Sequence, residues 1–237
     1  MKKMPVRPVF LLAPILVVSI SGCSSNFKST IDSISAFDFL DESQDANYIA
    51  SIPYASAQVS INDSAPLLLI LADATQVSSG GYRLKWLSAD GDSVITESGR
   101  IVQTAGLAKD NLETLSSLSD DPTLGNVGTW QARYDWSPGY RYGFTATVKV
   151  DHLGDETVIT DLWRQEVNKF TETVVFDELD AEFTNTYWRA PETDKYDAFV
   201  VKSVQYLGPN MDKIEMLMVK PFVPYHSADK GDHGGKS

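Results

Sequence analysis

The sequence predicts an all-β protein: a single antiparallel β domain of about twelve strands, closed as a barrel or stacked as a sandwich. Two observations predict it. Apolar and polar residues alternate with a period of two along much of residues 54–221, and links of hairpin length, rich in Gly, Asp and Pro, separate the alternating segments. No linker, composition shift or fixed-period repeat divides this region, so we expect one domain rather than a repeat array.

The first predicted strands follow Pro53, which ends any preceding helix. Ala57, Val59 and Ile61 alternate with polar residues, which is typical of a half-buried strand. The run Leu67–Ala72 is entirely apolar and predicts a buried strand. Further strands are expected at about 129–136, 142–151, 156–166, 170–176, 182–190, 197–206 and 213–220.

Residues 82–104 predict three strands joined by two hairpins. Asp90-Gly91 is a typical two-residue turn, and Ser98-Gly99 is a weaker one. If both turns are tight, the register places three pairs opposite each other: Trp86 and Ile95, Ile95 and Val102, and Glu97 and Arg100.

Short helices are expected at the N-terminus and in mid-chain. The N-terminal ones would cover about residues 30–40 and 43–50. The mid-chain helix would begin at Asp110, where Asp110-Asn111-Leu112-Glu113 resembles a capping box. Its apolar face would consist of Leu112, Leu115 and Leu118.

Composition limits the class of protein. The chain has 237 residues, 43% of them hydrophobic, and a net charge of −12. Nucleic-acid binding is not expected, because phosphate contacts need clustered Lys and Arg. One cysteine excludes a disulfide within the chain and a cysteine-based metal site, and we predict no metal and no cofactor.

The N-terminus predicts a lipoprotein. Lys2, Lys3 and Arg7 precede an apolar run over residues 9–20, which is too short to span a bilayer and is typical of a signal peptide. The run ends in a segment that resembles the bacterial lipobox: Ile20, Ser21, Gly22 and Cys23. The resemblance implies cleavage before Cys23 and lipidation of its sulfur. The alternative is an ordinary signal peptide that happens to contain a cysteine.

The lipobox sets the expected organisation of the chain. We expect a signal peptide over residues 1–22, a lipidated N-terminus and tether over 23–46, the β domain over 47–221 and a disordered tail over 222–237. Ser24 follows the lipidated cysteine, and this resembles an outer-membrane sorting address. We therefore expect a protein anchored by lipid in the outer membrane of a Gram-negative bacterium. These residues do not encode which face of that membrane the domain occupies; the periplasmic face is the expectation.

The sequence contains no strong catalytic motif: no G-x-S-x-G elbow, H-E-x-x-H helix, Walker loop or G-x-G-x-x-G. His152 is expected to be structural or at the surface. The acidic run over residues 177–182 predicts a solvated loop, because a glycosidase needs two carboxyls at a fixed separation across a cleft. All five tryptophans lie in strand patterns, where we expect core packing; the alternative is an exposed row that stacks on sugar rings.

A set of short motifs spans most of residues 47–221: Ile52-Pro53-Tyr54-Ala55-Ser56, Lys85-Trp86-Leu87-Ser88, Gly99-Arg100-Ile101-Val102, Gly106-Leu107 with Asn111-Leu112, and Asn185-Thr186-Tyr187-Trp188. Together with the lipobox they resemble the YjbF/GfcB family, lipoproteins of exopolysaccharide and group 4 capsule loci in Gram-negative bacteria. The resemblance implies a mostly β fold and an accessory role in secretion or assembly of a surface polysaccharide. It carries over no catalytic residue, and only Cys23 transfers as a site. Candidate contacts with a glycan or a partner are Trp86, Arg100, Asn185 and Trp188.

Three functions stay open on the sequence. The leading hypothesis is a non-enzymatic accessory factor whose partners are the membrane, the export proteins of the same locus and the polysaccharide itself. The second is a module that binds a glycan or a lipid. The third is a polysaccharide-modifying enzyme, which would need polar residues converging in a cleft.

Overall fold

The computed structural model describes residues 51–78, 80–118, 127–160, 163–193 and 197–224. These residues form twelve strands and one short 3₁₀ helix, Asp177–Leu179. The strands are β1 (Ser56–Ile61), β2 (Leu67–Gln76), β3 (Tyr82–Leu87), β4 (Ser93–Glu97), β5 (Arg100–Ala105), β6 (Asn111–Ser117), β7 (Gly128–Ser137), β8 (Arg141–Ile159), β9 (Arg164–Phe176), β10 (Ala181–Ala190), β11 (Phe199–Tyr206) and β12 (Lys213–Lys220). The N-terminal helices expected from the sequence lie outside the described residues.

The twelve strands form one antiparallel sheet in the order β5-β4-β3-β2-β1-β12-β11-β10-β9-β8-β7-β6. The two ends of this order, β5 and β6, meet through side chains rather than a backbone ladder. Thr104 of β5 accepts a hydrogen bond from the backbone N–H of Leu112 in β6 at 2.9 Å. The sheet is therefore a nearly closed barrel, and the prediction of an antiparallel all-β domain is confirmed.

The interior of the barrel is filled because β5 packs across it onto β11. Gly99, in the turn before β5, lies so close to Val200 of β11 that a Cβ at Gly99 would overlap it. Gln205 of β11 accepts a hydrogen bond from the backbone N–H of Ile101 at 2.9 Å and donates one to the Gly99 carbonyl at 3.0 Å. These contacts provide hydrogen-bond partners for the Ile101 N–H and the Gly99 carbonyl at the free edge of β5. Unpaired backbone groups at a strand edge would otherwise be open to pairing with another chain.

The first two strands are confirmed with one difference. Ala57 and Val59 of β1 are buried, as the alternation predicts. β2 is longer and less buried than the apolar run Leu67–Ala72 indicates: Leu68 and Leu69 are buried, but Leu67 is 52% exposed. The apolar run therefore continues as a half-buried strand rather than a fully buried one.

The hairpins of β3, β4 and β5 exist as predicted, but the predicted register across the first turn is wrong by one residue. The backbone N–H of Ser88 donates to the Asp92 carbonyl at 2.9 Å, and Gly91 has φ +90°. The loop is thus a three-residue connection with a positive-φ glycine rather than a two-residue turn. Consequently Trp86 lies opposite Val94 rather than Ile95.

The second turn follows the prediction at its base. Ser98 and Gly99 both have positive φ, which a two-residue type I′ turn requires, and Glu97 lies opposite Arg100. A bulge between Ile95 and Thr96 then shifts the remaining pairs, so Ile95 lies opposite Gln103 and not Val102.

The predicted mid-chain helix is wrong: Asn111–Ser117 is strand β6. A bulge between Leu112 and Thr114 explains the misleading pattern. One extra residue in the strand turns an i, i+2 spacing into i, i+3, so Leu112 and Leu115 lie opposite the inward residues Trp136 and Tyr134. The period of three that resembles a helix is the signature of the bulge.

The strands predicted at 142–151, 156–166 and 170–176 are in fact two long strands, β8 and β9, paired as one hairpin. The expected turn at Gly154 is a bulge, where Gly154 has φ +118° and the register shifts. At the tip of the hairpin, Trp163 donates its indole N–H to the carbonyl of Val219 in β12 at 3.3 Å. Since β10 and β11 separate β9 from β12, the hairpin reaches across these two strands.

The opposite end of the barrel is closed by the loop between β11 and β12. Leu207 and Met211 of this loop are buried, and Trp136 donates its indole N–H to the Leu207 carbonyl at 2.7 Å. Any Cβ at Gly208 would overlap Trp136.

No helix among the described residues has both the length and the apolar character needed to cross a bilayer.

Candidate functional site

The predicted lipidation site lies outside the described residues. Ile20, Ser21, Gly22 and Cys23 belong to the part of the chain before Ser51, so cleavage and lipid attachment stay predictions from the sequence. Four candidate contact residues remain to be placed: Trp86, Arg100, Asn185 and Trp188.

Trp86 is fully buried, with 0% of its surface exposed. Its indole N–H donates to Thr96 Oγ1 at 3.0 Å. Because Trp86 lies on the inward face of β3, it has no surface that could contact a glycan or a partner. Its role is core packing.

Arg100 is buried and pairs with Glu172 of β9 rather than with its cross-strand neighbour Glu97. Its Nε and Nη2 atoms donate to the same Glu172 oxygen at 2.7 and 2.5 Å. Burial opposes the charge on Arg100, but the carboxylate of Glu172 outweighs it and raises the pKa of the guanidinium. Glu97 is partly exposed and forms its ion pair with Arg83 instead.

The physical reason for this choice of partner is the cost of a buried charge. Glu172 is only 2% exposed, and removing its counter-charge would leave an uncompensated carboxylate in the interior. Glu97, in contrast, is partly exposed to solvent and already has Arg83 as its counter-charge. Glu172 lies between Phe170 and Val174 on the inward-facing positions of β9. This alternation is the signal in the sequence that marks Glu172 as a buried carboxylate.

Asn185 of β10 is also buried, 5% exposed, opposite Glu172 in the sheet. Its side-chain carbonyl accepts a hydrogen bond from the backbone N–H of Tyr206 at 2.8 Å. Nearby, the Tyr187 hydroxyl donates to Gln205 at 3.1 Å. Asn185 therefore joins β10 to β11 and has no surface for a large partner.

Trp188 is the one candidate on the outer face. Lys169 of β9 and Lys202 of β11 flank it, each with its Nζ 5.1 Å from the ring centroid. The indole N–H donates to Glu156 at 2.7 Å, and Lys169 forms an ion pair with the same carboxylate at 2.8 Å. The hydrogen bonds from Lys169 and Trp188 lower the pKa of Glu156. A role for Trp188 in contact with a glycan or a partner stays a prediction.

The gap between β5 and β6 opens, near the Ser98–Gly99 turn, into a cleft of about 180 Å³ that we call the seam cleft. Its walls come from β3 to β7 and the adjoining turns. They consist of Val77, Gly80, Arg83, Glu97, Ser98, Arg100, Val102, Leu115, Ser116, Ser117 and Trp130.

Trp130, in the wall of the seam cleft, carries an unsatisfied polar group. The other four indoles, those of Trp86, Trp136, Trp163 and Trp188, each donate to an oxygen. The Trp130 indole N–H is buried and has no hydrogen-bond partner among the residues that the structure describes. Such a group costs about 1–3 kcal/mol, so it needs an explanation.

A second cleft, of about 190 Å³, lies beneath the tip of the β8–β9 hairpin. Its walls are largely apolar and include Trp163, Phe199, Val201 and Met218.

In the described ranges, no three residues of the His, Cys, Asp and Glu types come together as metal ligands.

Comparison with known proteins places the chain in a family. The family model described as "Group 4 capsule polysaccharide lipoprotein gfcB, YjbF" matches residues 37–219. Two curated proteins of Escherichia coli (strain K12) are similar over nearly their whole length. The uncharacterized lipoprotein GfcB is 25% identical over 91% of this chain and 99% of its own, and the uncharacterized lipoprotein YjbF is 26% identical over 90% and 97%.

The fold is also found in a solved structure. The crystal structure of the hypothetical lipoprotein YmcC from Escherichia coli (K12) superposes with a TM-score of 0.65 at 23% identity, covering 82% of this chain and 97% of that one. This likeness shows the fold alone. The family match confirms the resemblance that the sequence motifs indicate: the chain belongs to the YjbF/GfcB family of group 4 capsule polysaccharide lipoproteins.

Proposed function

We propose that the protein is an outer-membrane lipoprotein that acts as a non-enzymatic accessory factor in the secretion or assembly of an exopolysaccharide or capsule. Membership of a capsule-polysaccharide lipoprotein family is the observation that carries this proposal. The lipid on Cys23 would anchor the chain, and the β domain would work in the periplasm with the export proteins of the same locus.

The position of the family motifs supports a structural rather than a catalytic use of these residues. Gly99 packs on Val200, Arg100 pairs with Glu172, and Asn185 holds β11. These three residues are thus engaged in contacts within the barrel. A rigid body whose polar interior groups bind one another is suited to holding partners in place.

The role is tested by deleting the gene in the native host and measuring polysaccharide. We expect less polysaccharide at the cell surface, or an altered length distribution, with restoration by the wild-type gene on a plasmid. An unchanged amount and length, both at the surface and in the medium, would contradict the proposal.

A glycan-binding module is the second candidate, and the seam cleft is the observation that favours it. Ser98 and Ser116 lie in its wall, and serine hydroxyls can exchange hydrogen bonds with the hydroxyl groups of a sugar. This function and the accessory role are compatible, because a factor that assists export can also hold the polymer.

A further inference from the structure

The cleft beneath the tip of the β8–β9 hairpin, which we call the hairpin cleft, is lined mainly by apolar side chains. Among the described residues that line it, only Gln165 and Thr193 have polar side chains. Its volume is about 190 Å³. An apolar cavity of about 150 Å³ accommodates one benzene ring, whereas sites for drug-sized ligands measure about 300–1,000 Å³. The size and the walls of the hairpin cleft therefore fit a single large apolar side chain.

The described part of the chain begins beside this cleft. Ile52 is buried and packs against Val219, and its carbonyl accepts a hydrogen bond from Lys220 Nζ at 2.7 Å. The next residue after Lys220, Pro221, belongs to the wall of the cleft. The chain that precedes Ser51 must therefore approach the barrel next to the hairpin cleft.

The family match extends beyond the described residues on the N-terminal side. It begins at residue 37, whereas the described residues begin at Ser51. The stretch 37–50 is rich in large apolar and aromatic residues, which are Phe37, Phe39, Leu40, Tyr48 and Ile49. Segments that stay solvated contain few residues of this kind. The stretch therefore has side chains available to fill an apolar site on the barrel.

Tyr48 is the side chain best suited to the hairpin cleft. Ser51 is helical, and the sequence predicts a helix over residues 43–50. Residues four apart on a helix lie on the same face, about 6 Å apart along its axis. Tyr48 would therefore share the face of Ile52, which packs on the barrel. A tyrosine combines an apolar ring with a polar tip, so its ring can enter the cleft while its hydroxyl stays at the edge.

We propose that the hairpin cleft is the docking site for residues 37–50 of the same chain, with the ring of Tyr48 seated among Trp163, Phe199 and Met218. The inference goes beyond the proposed function, because this docking requires neither a polysaccharide nor a lipid.

The consequence for a protein anchored through Cys23 is a shorter tether. With residues 37–50 docked, only residues 24–36 would stay free between the lipid and the barrel. At ~3.5 Å per extended residue, docking reduces the maximal distance from Cys23 to the barrel from about 100 Å to about 50 Å. The docked segment would thus keep the barrel close to the membrane.

The test observes the methyl group of Met218, which lines the cleft, by NMR. The full chain is labelled with ¹³C-methyl methionine and studied with phosphatidylcholine nanodiscs, and the Met218 signal is assigned by its loss in Met218→Leu. We expect nuclear Overhauser effects between the Tyr48 ring and this methyl group, and their loss in Tyr48→Ala. The Met218 signal should then shift, while the signals of the buried Met211 and Met216 stay in place and show that the variant is folded.

Two further variants separate the ring from the segment as a whole. Tyr48→Phe keeps the ring and should keep the contact with Met218. Tyr54→Ala is the matched control, since Tyr54 is 61% exposed and follows Ile52 in the chain. It should leave the Met218 signal unchanged.

Proteolysis gives a second readout that does not depend on Met218. Glu42 is the only glutamate between Cys23 and Ser51, so a glutamyl endopeptidase reports on the segment directly. Tyr48→Ala should accelerate cleavage after Glu42 at least tenfold, whereas Tyr54→Ala should not change it.

Four results would overturn the inference. The first is a Met218 methyl group without contact to the Tyr48 ring, and the second is cleavage at Glu42 that Tyr48→Ala does not accelerate. The third is contact of Met218 with lipid acyl chains instead, which would make a lipid the occupant. The fourth is a Tyr48 contact that arises between molecules in a mixture of labelled and unlabelled chains, which would make a second copy the occupant.

Discussion

The Arg100 guanidinium and the Glu172 carboxylate, 72 residues apart in the chain, meet inside the barrel at 2.5 Å. The pair links β5, at one end of the sheet order, to β9 across the interior. Both side chains are nearly fully buried, so neither can lose its partner without leaving a charge in a medium that solvates it poorly.

Replacing Arg100 alone should therefore be strongly destabilising. We expect Arg100→Met to lower the free energy of unfolding by about 3–5 kcal/mol, because Glu172 is left buried and unpaired. The measurement is urea unfolding of the purified protein. Arg83→Met is the matched control: it removes an arginine from an exposed pair with Glu97 and should cost no more than about 1 kcal/mol.

The double variant separates charge burial from packing. Arg100→Met combined with Glu172→Leu removes both charges and should be more stable than Arg100→Met alone. A double variant as unstable as the single one would mean that the pair is not the source of the loss.

Gly99 should tolerate no side chain. It has φ +85°, and a Cβ would overlap Val200, so Gly99→Ala combines backbone strain of about 1–2 kcal/mol with overpacking of about 1–3 kcal/mol. Gly91→Ala is the control, since Gly91 has φ +90° with nothing within 4 Å of the added Cβ. It should carry the strain alone, and equal losses for the two variants in urea unfolding would contradict the Gly99–Val200 contact.

The buried tyrosines should make the fold sensitive to alkali. Burial, with the nearby Glu172 charge, raises the pKa of Tyr134 and of Tyr187 well above the ordinary value. Above about pH 10 these hydroxyls would ionise in the unfolded chain but stay protonated in the folded one. The unfolded state then binds fewer protons, so stability is complete below pH 10 and falls as pH rises, by about 1.4 kcal/mol per pH unit for each tyrosine.

Unfolding in urea between pH 9 and 11 measures this slope. Tyr134→Phe should reduce the slope by the share of one tyrosine, whereas Tyr140→Phe, which removes a hydroxyl that is exposed to solvent, should leave it unchanged. An identical slope in wild type and Tyr134→Phe would show that Tyr134 titrates normally.

Local pattern was sufficient to predict the fold class, most of the strands and the turn between Glu97 and Arg100. It failed where a bulge changes the spacing. The extra residue after Leu112 mimics a helix period, and the bulge at Gly154 resembles a turn. Both errors arise because a bulge depends on the partner strand, which a single strand's sequence does not contain.

The partners of the buried polar side chains could not be predicted from the sequence for a related reason. The pairing of Arg100 with Glu172 depends on contact between strands far apart in sheet order, and the counted register could only offer Glu97 as a neighbour. Trp130 looked like any other core tryptophan. Its distinction, an indole N–H without a partner among the described residues, exists only in three dimensions.

The proposed function requires the β domain to act on polysaccharide export from a lipid anchor on Cys23. The most direct measurement is the amount of cell-surface polysaccharide in a deletion strain that carries either the wild-type gene or Cys23→Ala, with equal protein levels and palmitate labelling of both. We predict that only the wild-type protein incorporates palmitate and restores the polysaccharide. Full restoration by unlabelled Cys23→Ala protein would contradict the claim.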